Sequence, residues 1–105
     1  MSIEQTLAVS ISGLNANALK VNAAANNIVN QNTAGYQAVR AETVSRTTSQ
    51  HSTGGGVVTR IITDGEVDLA LEFTHIIMAE AAYGANAEVL RTTEEMERQF
   101  INVIA

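Results

Sequence analysis

Glu72 and His75 stand at i, i+3, with Asp68 one turn earlier. On a helix these side chains share one face. An E-x-x-H pair at this spacing is part of the ligand set of carboxylate-bridged di-iron bundles. Such a centre needs a second E-x-x-H and two further helix carboxylates, and the first helical segment offers only Glu4. A solvated acidic face is the better reading, with no metal and no other cofactor. His51 lies in a Ser/Thr/Gly stretch with nothing resembling a nucleophile elbow. Gly54-Gly55-Gly56 is not followed by Lys-Ser/Thr, and Val57 opens a strand-forming run. It reads as a flexible tip rather than a phosphate loop. No residue is assigned a catalytic role, and the chain is not expected to be an enzyme.

The chain has 105 residues, which allows a single domain (1–105). It lacks cysteine, proline and tryptophan and has only two Phe and two Tyr. That excludes a disulfide framework, a thiolate zinc site and a cysteine nucleophile. A core so poor in aromatics is marginal for a monomer, so oligomerisation is expected. The net charge of −5 argues against nucleic acid as a partner. No apolar run reaches the roughly 18 residues of a membrane span, so no membrane insertion is expected. The first residues carry no basic segment, so any export is expected to proceed without a cleaved signal peptide.

Three elements must position whatever this chain does. Leu7, Ile11, Leu14, Ala18, Val21, Ala25 and Ile28 alternate in steps of four and three. That pattern predicts a helix over 3–31 with a coiled-coil seam. Ser2 lies in the N-cap region. Asn30, Gln31, Asn32, Thr33, Ala34 and Gly35 then form a turn cluster. Residues 36–63 are rich in Thr, Val and Ser and predict a β-arm, two strands around the Gly-rich tip. A final helix is predicted over 66–103, its start loaded with Asp64, Glu66 and Asp68. Leu69, Phe73, Ile76, Tyr83, Ala87 and Leu90 form its first seam frame. Val89, Met96, Phe100 and Val103 form a second. The predicted fold is mainly α: two long antiparallel amphipathic helices joined by a short β-hairpin. The seam residues are the candidate assembly interface.

Small and amide residues sharpen the picture. Gly13 and Gly84, near Ala16, Ala81, Ala82 and Ala85, suggest close helix approach. Asn26, Asn30 and Asn86 either fix register from within a coiled coil or lie on its polar surface. Tyr36, just past the turn, reads as a packing anchor.

Two motifs resemble those of the bacterial flagellar rod and hook axial proteins. The first is Ser12-Gly13-Leu14-Asn15-Ala16 with Asn26-Asn27-Ile28-Val29-Asn30-Gln31-Asn32-Thr33-Ala34-Gly35-Tyr36. The second is Val67-Asp68-Leu69-Ala70-Leu71-Glu72-Phe73 with Ala82-Tyr83-Gly84-Ala85-Asn86-Ala87-Glu88-Val89-Leu90-Arg91-Thr92-Thr93-Glu94-Glu95-Met96. Together they cover about two-thirds of the chain. Ala34 stands where the family usually has proline, and the short middle resembles a proximal-rod member lacking most of its outer domain. The resemblance implies a structural, self-assembling subunit of the basal-body rod. It implies export by the flagellar type III apparatus and polymerisation in the periplasm through both terminal helices. Its partners would be itself, other rod or hook-basal-body proteins and the export apparatus. The alternative is a small secreted helical-hairpin partner of another export system. Those proteins carry a Trp-x-Gly turn, and this chain has no tryptophan.

Overall fold

The computed structural model describes residues 3–46, 55–63 and 65–104. Ser2, Asp64, His51 and Gly54 lie outside them. Four elements follow one another: α1 (Ile3–Val29), β1 (Val39–Ser45), β2 (Val57–Thr63) and α2 (Leu69–Ile104). The helices lie antiparallel, and the molecule measures 62 × 29 × 14 Å. The predicted helix–hairpin–helix architecture is the one observed.

α1 ends at Val29, two residues short of the predicted 31. Asn30 donates Nδ2 to the Asn26 carbonyl at 2.9 Å, and Thr33 donates its hydroxyl to Asn30 Oδ1 at 3.2 Å. The Thr33 amide meets the Asn30 carbonyl, and Gly35 turns the chain with φ +76°. These local bonds satisfy the helix end that would otherwise lack partners.

β1 and β2 pair antiparallel from Val39↔Thr63 to Ser45↔Val57. Both are rich in β-branched residues, which suit a pleated half-buried surface. The arm lies along α1, with Ala38 and Ala41 buried. α2 begins at Leu69, not at 66, because Asp68 is its cap. Asp68 Oδ1 accepts the amides of Ala70 at 3.1 Å and Leu71 at 3.4 Å.

The core is made of small and polar side chains. Ser10, Ala16, Asn17, Ala23, Ala24 and Asn27 are buried on α1, and Glu72, Ala79 and Thr93 on α2. The inner seam of α1 thus uses Leu7, Leu14, Val21 and Ile28, half-buried, interleaved with Ser10, Asn17 and Ala24. Ile11, Ala18 and Ala25, predicted to interleave there, are exposed. The displacement is one residue. At the first of these steps the smaller Ser10 stands inside where the pattern placed Ile11, which favours close approach of the helices. Asn17 bonds the Gly13 carbonyl at 3.0 Å, and Thr93 bonds the Val89 carbonyl at 2.8 Å. These buried polar groups are therefore satisfied along their own helices.

Gly13 lies at a close approach between the helices. A Cβ there would lie 3.0 Å from both Asn86 Oδ1 and Nδ2. Gly84 is the reverse, because a Cβ there meets nothing within 4 Å and no close approach exists. Asn86 thus faces the partner helix, whereas Asn26 is exposed and Asn30 serves the turn. An Ala at position 13 gains about 1 kcal/mol of helix propensity over Gly. In the intact chain that gain should be cancelled by the clash. With Asn86→Ala alongside, Gly13→Ala should become net stabilising, a sign change readable in urea midpoints. Equal effects in both backgrounds would disprove the contact.

Candidate assembly surface

At about 100° per residue, each helix presents three sides. Ser10, Asn17 and Ala24 turn α1 towards α2, while Val9, Ser12, Ala16, Ala23 and Asn27 turn towards the arm. On the side opposite the arm lie Leu7, Ile11, Leu14, Ala18, Val21, Ala25 and Ile28. In α2, His75 and Asn86 line clefts shared with the arm residues. Phe73, Ile76, Tyr83, Ala87 and Leu90 therefore fall on the side away from it. The two predicted seams lie on the same side of the molecule, the α2 row being interrupted by the exposed Glu80 between Ile76 and Tyr83.

Exposure along this face is graded. Leu7, Leu14, Val21, Ile28, Ile76 and Leu90 are half-buried at the helix junction. Ile11 (48% exposed), Phe73 (50%) and Tyr83 stand clear of it. The second α2 frame is a separate stripe, on the arm side of α2. Met78, Val89, Met96, Phe100 and Val103 are all exposed there. The Gly13–Asn86 register sets Ile3 near Met96, so residues 97–104 run on past the start of α1. Phe100, Ile101, Val103 and Ile104 are exposed on that extension.

The turn residues hold the arm to this platform. Asn27 is the most deeply buried large side chain, 1% exposed. Its Nδ2 donates to the Val39 carbonyl at 2.7 Å, and its Oδ1 accepts the Val39 amide at 2.8 Å. Tyr36 donates its hydroxyl to the same Oδ1 at 3.0 Å. Tyr36 is thus an anchor, while Asn32, Thr33 and Gly35 lie exposed in the turn itself. Sequence reading missed Asn27.

The Gly-rich tip is also corrected in part. Residues 49–54 of that tip lie outside the described residues, and Gly56 is held in place. The Gly56 carbonyl accepts the Arg46 amide at 2.9 Å. Its φ is +90°, and a Cβ would overlap Ser12 Oγ. Ser12 in turn accepts the Val57 amide at 3.2 Å and donates to the Val9 carbonyl at 2.7 Å.

The Asp68, Glu72 and His75 group does not come together as a site. Asp68 caps the helix, and His75 Nδ1 lies 4.0 Å from Glu72 Oε2. Among the described residues no three His, Asp or Glu side chains are placed to hold a metal ion. The expectation of a solvated acidic face fails at Glu72, whose side chain is 6% exposed. It sits on the inner seam of α2 with Ala79 and Thr93, one turn past the cap, and lines the cleft that α1 and β1 share with α2.

Arginines neutralise the outer surface. Arg60 Nε and Nη2 bond Glu42 Oε2 across the arm at 2.9 and 2.6 Å. Arg91 bridges Glu88 and Glu95 along α2. The hydrogen bond and charge of Arg60 hold the Glu42 carboxyl below its ordinary range, and Arg91 does the same for Glu88. What these exposed pairs contribute is therefore present at neutral pH and is lost as acid protonates the carboxylates.

No described helix is long and apolar enough to cross a membrane. Residues 7–37, from the first helix through the turn, match the family model of the flagella basal body rod protein. No curated protein matches the chain.

Proposed function

We propose that this chain, whose first helix and turn carry the flagellar basal-body rod signature, is a rod subunit that polymerises through both helices. The observation that supports polymerisation is the inverted distribution of side chains. Among the described residues the side chains fully buried between the helices are Ser, Asn, Ala, Thr and Glu, the seam's Leu, Val and Ile are only half-buried, and Ile11, Phe73, Tyr83, Met96 and Phe100 face outward. A face this apolar and this extended on a small chain marks an association surface. The one-sided apolar layer differs from the stripe beside the arm, so neighbouring copies can meet through unlike patches. Unlike patches generate an open helical array rather than a closed dimer.

In this reading the chain leaves the cell through the flagellar type III apparatus and assembles in the periplasm. Two features support passage as an unfolded chain. There is no cysteine to cross-link. Among the described residues alanine is the only apolar side chain that is fully buried, so the free fold is weakly stabilised. The rod's neighbouring subunits and the export apparatus are its partners, and no catalysis is required of it.

Ile11→Asp and Phe73→Asp test the surface without touching the inner seam. Each should leave the helical circular dichroism of the purified protein unchanged. In a strain lacking the native gene, each should abolish incorporation into basal bodies and swimming. A charge placed at such a contact loses apolar burial worth about 1.5–3 kcal/mol and recurs at every copy of the subunit. Normal basal bodies and normal swimming with both variants would show that this face is not the assembly surface.

A further inference from the structure

The arm has two unpaired edges, and their hydrogen-bonding parity can be read residue by residue. The Val39 amide and carbonyl both bond Asn27, and the Val57 amide bonds Ser12. The Arg46 amide bonds the Gly56 carbonyl. Val39↔Thr63 and Ser45↔Val57 are therefore pairs without ladder bonds, and Arg40, Glu42 and Val44 carry the bonds to β2. It follows that Ala41 and Thr43 point their amides and carbonyls away from β2. On the other strand, Thr59 and Ile61 do the same.

The outward edge of β1 opens on a cleft of about 240 Å³. Five consecutive residues, Val39 to Thr43, line it. Successive strand side chains point to opposite faces, so consecutive residues share a cleft only along the backbone edge. Ala23 and Ala24 of α1 form its floor, and Glu72 and His75 of α2 form the far wall. At one end the Asn27 amide already occupies the place of a third strand's peptide group, opposite Val39. Among the described residues nothing continues that rung opposite Ala41 and Thr43.

We infer that this cleft accepts an extended strand, and that the strand is β2 of a second copy. This deepens the rod reading, naming which surfaces of neighbouring copies meet at the arm. Three observations select that occupant. The open edge of β2 has the same parity as the open edge of β1, so their free groups can meet rung for rung. Copies related by a simple step place β2 of one antiparallel to β1 of the next, because the two strands are antiparallel within each copy. Finally, Ile61 is 57% exposed on the face of β2 that points to the helices. The alanine floor leaves room for a β-branched side chain at that place. Strand addition of this kind takes its affinity from main-chain bonds and its specificity from alternate side-chain pockets. It also covers two edges that would otherwise invite unspecific pairing.

The test uses the purified full chain and a synthetic peptide of residues 57–63. Amide exchange followed by NMR should slow at least tenfold at Ala41 and Thr43 when millimolar peptide is added. Arg40, Glu42 and Val44, already bonded to β2, should not change. Thr43→Pro removes one outward amide and no ladder bond, so it should lose the protection at Ala41 while keeping the hairpin. The absence of native cysteine permits a second readout in assembled material. Mixed copies of Thr43→Cys and Thr59→Cys should form a disulfide between them on oxidation. Unchanged exchange at Ala41 and Thr43 would overturn the acceptor edge. Cross-links only between identical variants would overturn the β2-to-β1 pairing. Either failure alongside normal incorporation of the wild-type chain would leave the rod reading standing. Peptide protection in a chain that never enters basal bodies would sink the rod reading alone.

Discussion

Replacing Asn27 with leucine should cost about 3 kcal/mol or more of folding stability. Leucine is close in size, so the loss is chemical rather than volumetric. Three hydrogen bonds end on this one amide, from the Val39 amide, to the Val39 carbonyl and from the Tyr36 hydroxyl. Each buried group left unpaired costs about 1–3 kcal/mol. The arm should detach before the helices separate, because the bonds connect α1 to the start of β1. Urea unfolding of Asn27→Leu should therefore show a lower midpoint. Amide exchange should accelerate first in β1 and β2 and only later in α2. Tyr36→Phe removes one of the three bonds and should cost about 1 kcal/mol. An Asn27→Leu chain as stable as the parent would show that the amide does not hold the arm.

The opposite end of the arm should be nearly as sensitive. Gly56→Ala is expected to destabilise by about 2–3 kcal/mol, combining two effects. A φ of +90° is costly for any residue with a Cβ, by about 1–2 kcal/mol. The added methyl also overlaps Ser12 Oγ, which must release the Val57 amide or the Val9 carbonyl. Gly35→Ala is the control. Its φ is +76°, but nothing lies within 4 Å of the added Cβ. It should therefore lose only the backbone part. Thermal melts of the two variants separate strain from collision, and equal losses would rule the collision out. Ser12→Ala should cost less than Gly56→Ala, since it removes the hydroxyl without adding bulk.

The general plan was legible because it rests on strong local signals. Asn30 to Gly35 ends a helix through side-chain bonds and a left-handed glycine, and both are properties of the residues themselves. The acids before α2 marked its start through the helix dipole, though which of them is the cap, Asp68, shows only in its bonds to the Ala70 and Leu71 amides. The β-branched runs around Val39 and Val57 pair as their composition directs. The inner seam was not legible for a physical reason. Periodicity finds the most apolar stripe, and in this chain only part of that stripe, Leu7, Leu14, Val21 and Ile28, reaches the helix junction. Ile11 outranks Ser10 in any hydrophobic pattern, yet Ser10 is buried and Ile11 is exposed. Asn27 and Ser12 escaped notice because their partners are backbone groups 12 and 45 residues away. Sequence spacing carries no trace of such a bond.

The small polar seam inside and the large apolar side chains outside divide the protein's hydration between two events. Removing apolar surface from water lowers the heat capacity, and removing polar surface raises it. Among the described residues, folding of one copy fully buries Ala, Ser, Asn, Thr and Glu and leaves the larger apolar side chains half-buried or exposed, so its heat-capacity change should be smaller than usual for 105 residues. Joining copies would remove Ile, Phe, Met and Val from water, so the larger decrease should belong to assembly. Polymer formation should therefore strengthen on warming and in sulfate, where apolar association gains, while the lone hairpin's stability changes little. A calorimeter would then see the subunit become a conventional hydrophobic protein only in company.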